Sequence, residues 1–253
     1  MPRYIKVTET ASTNTYLGRM ATILPGATVV YTYRQTAGRG QRGNSWESED
    51  SKNLAFSYLL KKPRIEPSRQ FFISEAVALA VADMLSQYVP EEGIAIKWPN
   101  DIYYHDRKIC GILIENTLGG GEITHSVIGV GININQERFV SDAPNPISLI
   151  GITGREYDLD QLLREVNERI EQYTDFSCAT PDTLQALHSR YIGRLYRADG
   201  KPHQWQLPSG ECFSGVIHDV QPDGQLCIRR TDTGELCKYY FKEVKHVINK
   251  HIL

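Results

Sequence analysis

Four polar segments interrupt an otherwise ordinary apolar pattern, and each carries residue types able to hold or activate a ligand. Ser12-Thr13-Asn14 sets three short donors and acceptors side by side at a helix start, although a plain N-cap would account for them equally. AGRGQRGNSW, Ala37 to Trp46, supplies glycines that let the backbone approach a ligand and turn its N–H groups toward an anion. Arg39 and Arg42 add forked cationic donors that match phosphate or carboxylate, and Trp46 adds a flat face on which a base could stack. The same composition also describes an exposed loop or an RNA contact. Its spacing differs from the strand–GxxxxGK–helix pattern of a P-loop.

The third segment, Ile96 to Asn116, places Lys97 and Lys108 among strongly apolar strands. Ammonium groups are costly there unless they are paired or face an anion. Asn100 and Asp101 follow Pro99 in what reads as a turn between strands. In the fourth, VIGVGININ, Gly129 and Gly131 thin out a strand where a ligand or another backbone comes close, with a bulge as the plainer alternative. Asn133 projects an amide among aliphatics.

Alternating β and helical patterns surround these segments. A helix is expected from Thr13 to about Thr22, followed by a strand over Ala27–Tyr33. A polar stretch, Gln35 to Asn53, then leads into the apolar run LAFSYLL; so long a stretch without periodicity usually marks a functional loop. Phe71 to Val89 has helical spacing with a wide apolar face. IAIKW, KICGILIE and SVIGVGINI read as strands of a sheet covered on both sides. Helices follow at Leu159–Phe176 and, with Thr180 as cap and Pro181 in the first turn, to about Tyr191. After Gly193, short alternating strands separated by PSG, QPDG and DTG turns predict a small β-barrel. The expected division is 1–192 and 193–253.

Bulk properties narrow the class. The 253 residues carry 28 Lys and Arg against 30 Asp and Glu, a balance of 28 − 30 = −2. Nothing here drives binding to nucleic acid or anionic membrane in bulk. No apolar run approaches the ~18 residues that span a bilayer, so a cytoplasmic location is the expectation. Five scattered cysteines without a CxxC pair argue for free thiols rather than disulfides or a zinc site.

Taken in order, STN, GRGxRG with its tryptophan, KWPND, KxxGIL and GxGIN resemble the bacterial biotin–protein ligases from about Thr10 to Asn135. The resemblance implies an α/β fold on a mixed sheet, related to class II aminoacyl-tRNA synthetases, with the small C-terminal barrel. It implies biotin contacts at Ser12, Thr13, Asn14, Gln35, Gly38, Arg39, Gly40, Gln41, Lys108 and Gly111. Nucleotide contacts are implied at Arg42, Trp46, Lys97, Asn100 and Asn133. Lys108, Arg39 and Arg42 are the expected catalytic cations. The implied reaction joins biotin and ATP into biotinyl-5'-AMP, with Mg²⁺ on the triphosphate through unassigned protein ligands. A lysine of a biotin carboxyl carrier domain then takes the biotinyl group.

A carboxyl with pKa about 4 needs no base in the first step, whereas an amine with pKa near 10 does in the second. Asp101 is the candidate, with Glu115 as second choice. Many members have arginine where this chain has Gln41, which leaves open whether the adenylate is held more loosely or Arg42 suffices. Some members carry an N-terminal helix-turn-helix; STN begins too early here for one, so the expectation is a ligase without a DNA partner, as monomer or homodimer. Lipoate or octanoate ligation on the same fold and a non-catalytic RNA-binding module are the competing readings.

Overall fold

The structure is a computed structural model and describes residues 2–140 and 145–247. Its main sheet has seven strands in the order β1 (Arg3–Lys6), β2 (Thr28–Thr32), β5 (Leu54–Lys61), β9 (Glu122–Ile132), β8 (Arg107–Gly119), β7 (Asp101–Tyr104) and β6 (Ile94–Lys97). β1 and β2 are parallel and every other neighbouring pair is antiparallel, so the sheet is mixed, as expected. Between β2 and β5 the polar stretch forms a small hairpin, β3 (Gly38–Arg39) with β4 (Ser45–Trp46), closed by a tight helical turn at Gln41–Gly43.

Side-chain alternation explains why the sheet is covered on both faces. Along β5, Leu59 packs with Leu17, Ala21 and Leu24 of the α1 (Thr13–Met20) region, together with Val30 and Val127. Leu54, Phe56, Tyr58 and Leu60 point the other way, into the core built on α2 (Phe71–Leu85). Thirteen of the fifteen α2 residues are buried, because α4 (Leu159–Tyr173) and α5 (Pro181–Gly193) cover its outer side. Asp158 caps α4, and a Thr180–Thr183 capping box with Pro181 opens α5 at the expected place. A five-residue helix, α3 (Leu149–Thr153), was not legible in the sequence; Ser148 caps it and Gly154 ends it in the left-handed region, with φ 69°.

The C-terminal strands form a five-stranded antiparallel sheet, ordered β13 (Leu236–Tyr239), β12 (Leu226–Arg230), β11 (Cys212–Val220), β10 (His203–Gln206) and β14 (Lys245–His246). Its buried residues, Trp205 and Phe213 among them, merge with the core of the main sheet. Backbone bonds from Ile96 to Arg194 and Tyr196 cover the outer edge at β6. Among the described residues no helix is long and apolar enough to cross a membrane. All five cysteines are free, and burial pushes the Cys110 thiol's pKa up.

A part-buried charge cluster ties the helices over the main sheet to the small sheet. His188 on α5 sits 2.8 Å from Glu75 on α2 and 2.8 Å from Asp219 on β11. The bond to Glu75 leads in raising the imidazole pKa to about 9, against its desolvation. Because that value lies above the unfolded ~6.5, the contribution is complete below about pH 6.5 and lost as pH rises through 9. The urea midpoint should therefore fall from pH 6.5 to 9.5, and His188→Gln should flatten that fall while costing roughly 1–3 kcal/mol at pH 6.5. A variant with an unchanged pH profile would rule the cluster out as its source.

Candidate active site

The α1 face of the sheet holds a cleft of about 740 Å³, open at its mouth. Its floor follows from strand parity. Gly111 and Leu113 on β8 pair with Gly131 and Gly129 on β9, so all four lie on the cleft side of the sheet. Two glycines spaced by two in a strand thus clear one patch. A methyl group at Gly129 would stand 2.2 Å from Asn14 Oδ1, and one at Gly131 only 2.4 Å from the Trp46 ring.

One end is neutral and rich in hydrogen bonds. Ser12 caps α1 with its Oγ 3.5 Å from the Thr15 amide, which leaves Thr13 and Asn14 at the helix mouth. The Thr13 amide donates to Gln35 Oε1 at 3.0 Å. Asn14 Nδ2 donates to the Leu113 carbonyl at 3.1 Å and to Glu115 at 2.9 Å. Ser57 Oγ bridges to Thr13 Oγ1 at 2.8 Å and to Asn14 Oδ1 at 2.5 Å. Ser57 was missed by the sequence reading; the available signal was a single hydroxyl inside LAFSYLL, which is fully buried. Asn14 has little freedom to move, so Gly129→Ala should weaken binding of a ligand at this end by roughly ten- to a hundredfold, read by titration calorimetry with biotin. Unchanged affinity would mean that Asn14 does not contribute.

The other end is cationic. Lys108 Nζ lies 2.6 Å from Asp101 Oδ1, with Lys97 paired across the strands to Asp101. Burial lowers the Lys97 pKa; Lys108 and Arg197 push the same way, while Asp101 opposes them. Asp101 is the first residue of β7, not part of the turn the sequence suggested, and that strand fixes it opposite Gly111. A bulge re-aims Lys108. Ile102 pairs with Cys110 but Tyr103 pairs with Lys108, so Ile109 is the extra residue. Without it Lys108 would share the core-facing side of Cys110.

The lining takes in Ser12, Thr13, Asn14, Gln35, Arg39, Gly40, Gln41, Trp46, Lys97, Asn100, Asp101, Lys108 and Gly111, all singled out from the sequence. Trp46 lies across Gly111 and Gly131 with Lys108 Nζ 5.6 Å from its ring, and its buried indole N–H has no acceptor among the described residues. Arg39 binds both oxygens of Glu115, at 2.7 and 2.9 Å, which places that second-choice acid in an ion pair at the neutral end, away from Asp101. Asn100 spends its amide on the Ile112 carbonyl at 2.6 Å. Gly38 is buried between Gln35 and Trp46 rather than in the lining. Asn133 is also outside it: its amide donates to the Ile147 carbonyl at 3.0 Å and its backbone N–H to Ile109, bracing the bulge. Arg42 belongs to the Gln41–Gly43 turn, and its side chain lies outside the described residues. Asn44, Ser45 and Phe241 also line the cleft without having been singled out. Among the described residues no three His, Cys, Asp or Glu side chains gather to hold a metal ion.

The cleft thus joins a neutral recognition end to a cationic end, and the comparisons place such a site in an enzyme of the ligase class. Residues 4–133 match the biotin/lipoate A/B protein ligase family, and the chain belongs to that family. A biotin–acetyl-CoA-carboxylase ligase of Paracoccus denitrificans is 32% identical over 87% of this chain and 92% of its own length. Another protein so named, from Mycobacterium tuberculosis, is 29% identical over 88% of this chain and 81% of its own. The biotin protein ligase of Aquifex aeolicus, solved with biotin and ATP, shares the fold with a TM-score of 0.77 at 22% identity, over 98% of this chain and 100% of that one.

Proposed function

We propose that this protein attaches biotin to an acceptor protein at the expense of ATP, through biotinyl-5'-AMP, and that the acceptor is a lysine of a biotin carboxyl carrier domain. The carrying observation is the two-ended cleft. A ureido ring is uncharged and dense in donors and acceptors, and each buried group left unpaired costs about 1–3 kcal/mol. Thr13, Asn14 and Gln35 offer the partners it needs, with Ser57 holding Thr13 and Asn14 from behind. A lipoyl or octanoyl chain would leave that polar set with nothing to bind. The apolar stem then lies over Gly129 and Leu113, and the carboxylate points to Lys108.

At that end the carboxylate attacks the α-phosphate, forming the mixed anhydride and releasing pyrophosphate. Both reactants are anions, so the chain's task is to stabilise charge on the phosphoryl oxygens. Lys108 does this directly, with Lys97 as the second cation, while Arg39, Gly40 and Arg42 of the hairpin close over the intermediate. Trp46 screens the anhydride from water, and Asn133 positions Lys108 through the bulge. Mg²⁺ would be carried in by the ATP phosphates and would neutralise part of their charge, and no side chain of the chain is assigned to it. In the second step Asp101 orients the incoming lysine and accepts its proton, and the amine displaces AMP. Residues 193–253 act as a second domain, and the reaction takes place in the cytoplasm.

The test is pyrophosphate release from MgATP with biotin or lipoate and no acceptor. Release with biotin and not with lipoate is expected. Release with lipoate alone would reassign the substrate, and release with neither acid from folded protein would remove the ligase reading.

A further inference from the structure

The chain stays buried for four residues beyond β9, and three of them are amides: Asn133, Asn135 and Gln136 are 3, 4 and 1% exposed. Taking amides out of water is costly unless each lost bond is replaced. These three spend their bonds on three different segments. Asn133 braces the bulge under Lys108 through the Ile147 carbonyl, and Asn135 exchanges two bonds with the Tyr157 backbone, at 2.8 and 3.0 Å. Gln136 holds the segment that leaves the β3–β4 hairpin.

Gln136 uses its whole bonding capacity. Its Oε1 accepts from the Glu49 backbone N–H at 3.1 Å and from Asn53 Nδ2. Its Nε2 donates to Glu47 Oε1 at 3.0 Å and to the Arg138 carbonyl at 2.8 Å. Asn53 is fixed in turn, because its Oδ1 accepts from the Ile134 backbone N–H at 2.9 Å. Reversing the Gln136 amide would set N–H against N–H and oxygen against oxygen at all four contacts, so one orientation survives. The same Glu47 oxygen also accepts from the Val140 backbone N–H at 3.0 Å.

Glu47 directly follows Trp46, whose ring lies across Gly111 and Gly131. β3 and β4 pair over only two residues each, and so short a hairpin does not hold a side chain in place by itself. Its entering leg is anchored where Thr36 and Ala37 donate to the Thr10 and Ala11 carbonyls, and its leaving leg is anchored at Gln136. Resting on the ligase reading above, we infer that Gln136, acting through Glu47, is a positioning residue that sets Trp46 over the cleft and so determines how long biotinyl-5'-AMP is retained. One strand extension then holds both sides of the reactive site, Lys108 through Asn133 and Trp46 through Gln136.

The test is the first-order loss of labelled biotinyl-5'-AMP from its preformed complex, with free ligands removed and no acceptor present. Only molecules that have folded and made the adenylate are counted, so a smaller folded fraction does not move this rate. Gln136→Glu sets a carboxylate against Glu47 and the Arg138 carbonyl, and Glu47→Ala removes the acceptor from the less buried side of the pair. Each should speed the loss about tenfold or more, the scale of one hydrogen bond to a charged group. Glu47→Gln keeps the bonds to Gln136 and Val140 through its amide oxygen, and in that background the carboxylate of Gln136→Glu gains a donor. The double variant should therefore lose adenylate within about threefold of the Glu47→Gln rate. A parental rate in either Gln136→Glu or Glu47→Ala would overturn the inference, as would equal acceleration by Gln136→Glu with and without Glu47→Gln. A parent protein that forms no adenylate would instead strike the ligase reading.

Discussion

Lys108→Gln should reduce biotin-dependent pyrophosphate release by about a hundred- to a thousandfold, the scale expected when one donor is removed from charge developing in a low-dielectric site. The bulge at Ile109 and the backbone bonds that tie Lys108 to Asn145 and Ile147 place the ammonium over the glycine floor, 2.6 Å from Asp101. Biotin affinity without ATP should fall far less, because the ring-binding residues lie at the opposite end. Lys108→Arg keeps the charge but displaces it, so intermediate activity is expected. Pyrophosphate release from Lys108→Gln within about tenfold of the parent would mean that the charge is stabilised elsewhere, by Lys97 or the hairpin arginines.

Asp101→Asn should separate the two half-reactions. Transfer to the carrier domain is expected to drop by about a hundred- to ten-thousandfold, the range of general base catalysis, while exchange stays near the parent level. Asparagine fits the strand position opposite Gly111 and retains hydrogen bonding, so the fold is conserved. It also leaves Lys108 without its ion-pair partner, so its positive charge stays free for a step that gathers anions. Single-turnover transfer from preformed adenylate reads the effect directly. Equal loss of both steps would show that Asp101 acts by holding Lys108 in place and not on the amine.

Much of the site was legible because its residues conflict with their surroundings. Lysines amid apolar strands, glycines inside a strand and three short polar residues at a helix start each demand a partner, and the cleft supplies one. The fold's long elements were legible for the opposite reason: α2, β5 and β9 carry strong apolar patterns, and the caps of α4 and α5 follow local rules. β1 and β7 escaped notice because four-residue strands of mixed polarity carry little periodic signal, and α3 is only five residues long.

Composition, periodicity and capping therefore determined the element order, the two-sided sheet and the chemical types in the site, since each is a property of neighbours along the chain. Tertiary structure alone decided where those groups point. Read by strict alternation, Lys108 belongs with Cys110 on the core side; one bulge, braced by Asn133 and residues 145–147, turns it into the cleft. Ser57 met Asn14, Arg39 met Glu115, and the small sheet's Asp223 came beside Asn100 only when distant segments packed. Register and long-range contact depend on how whole faces bury together, and a single stretch of sequence carries no record of its partner's offset.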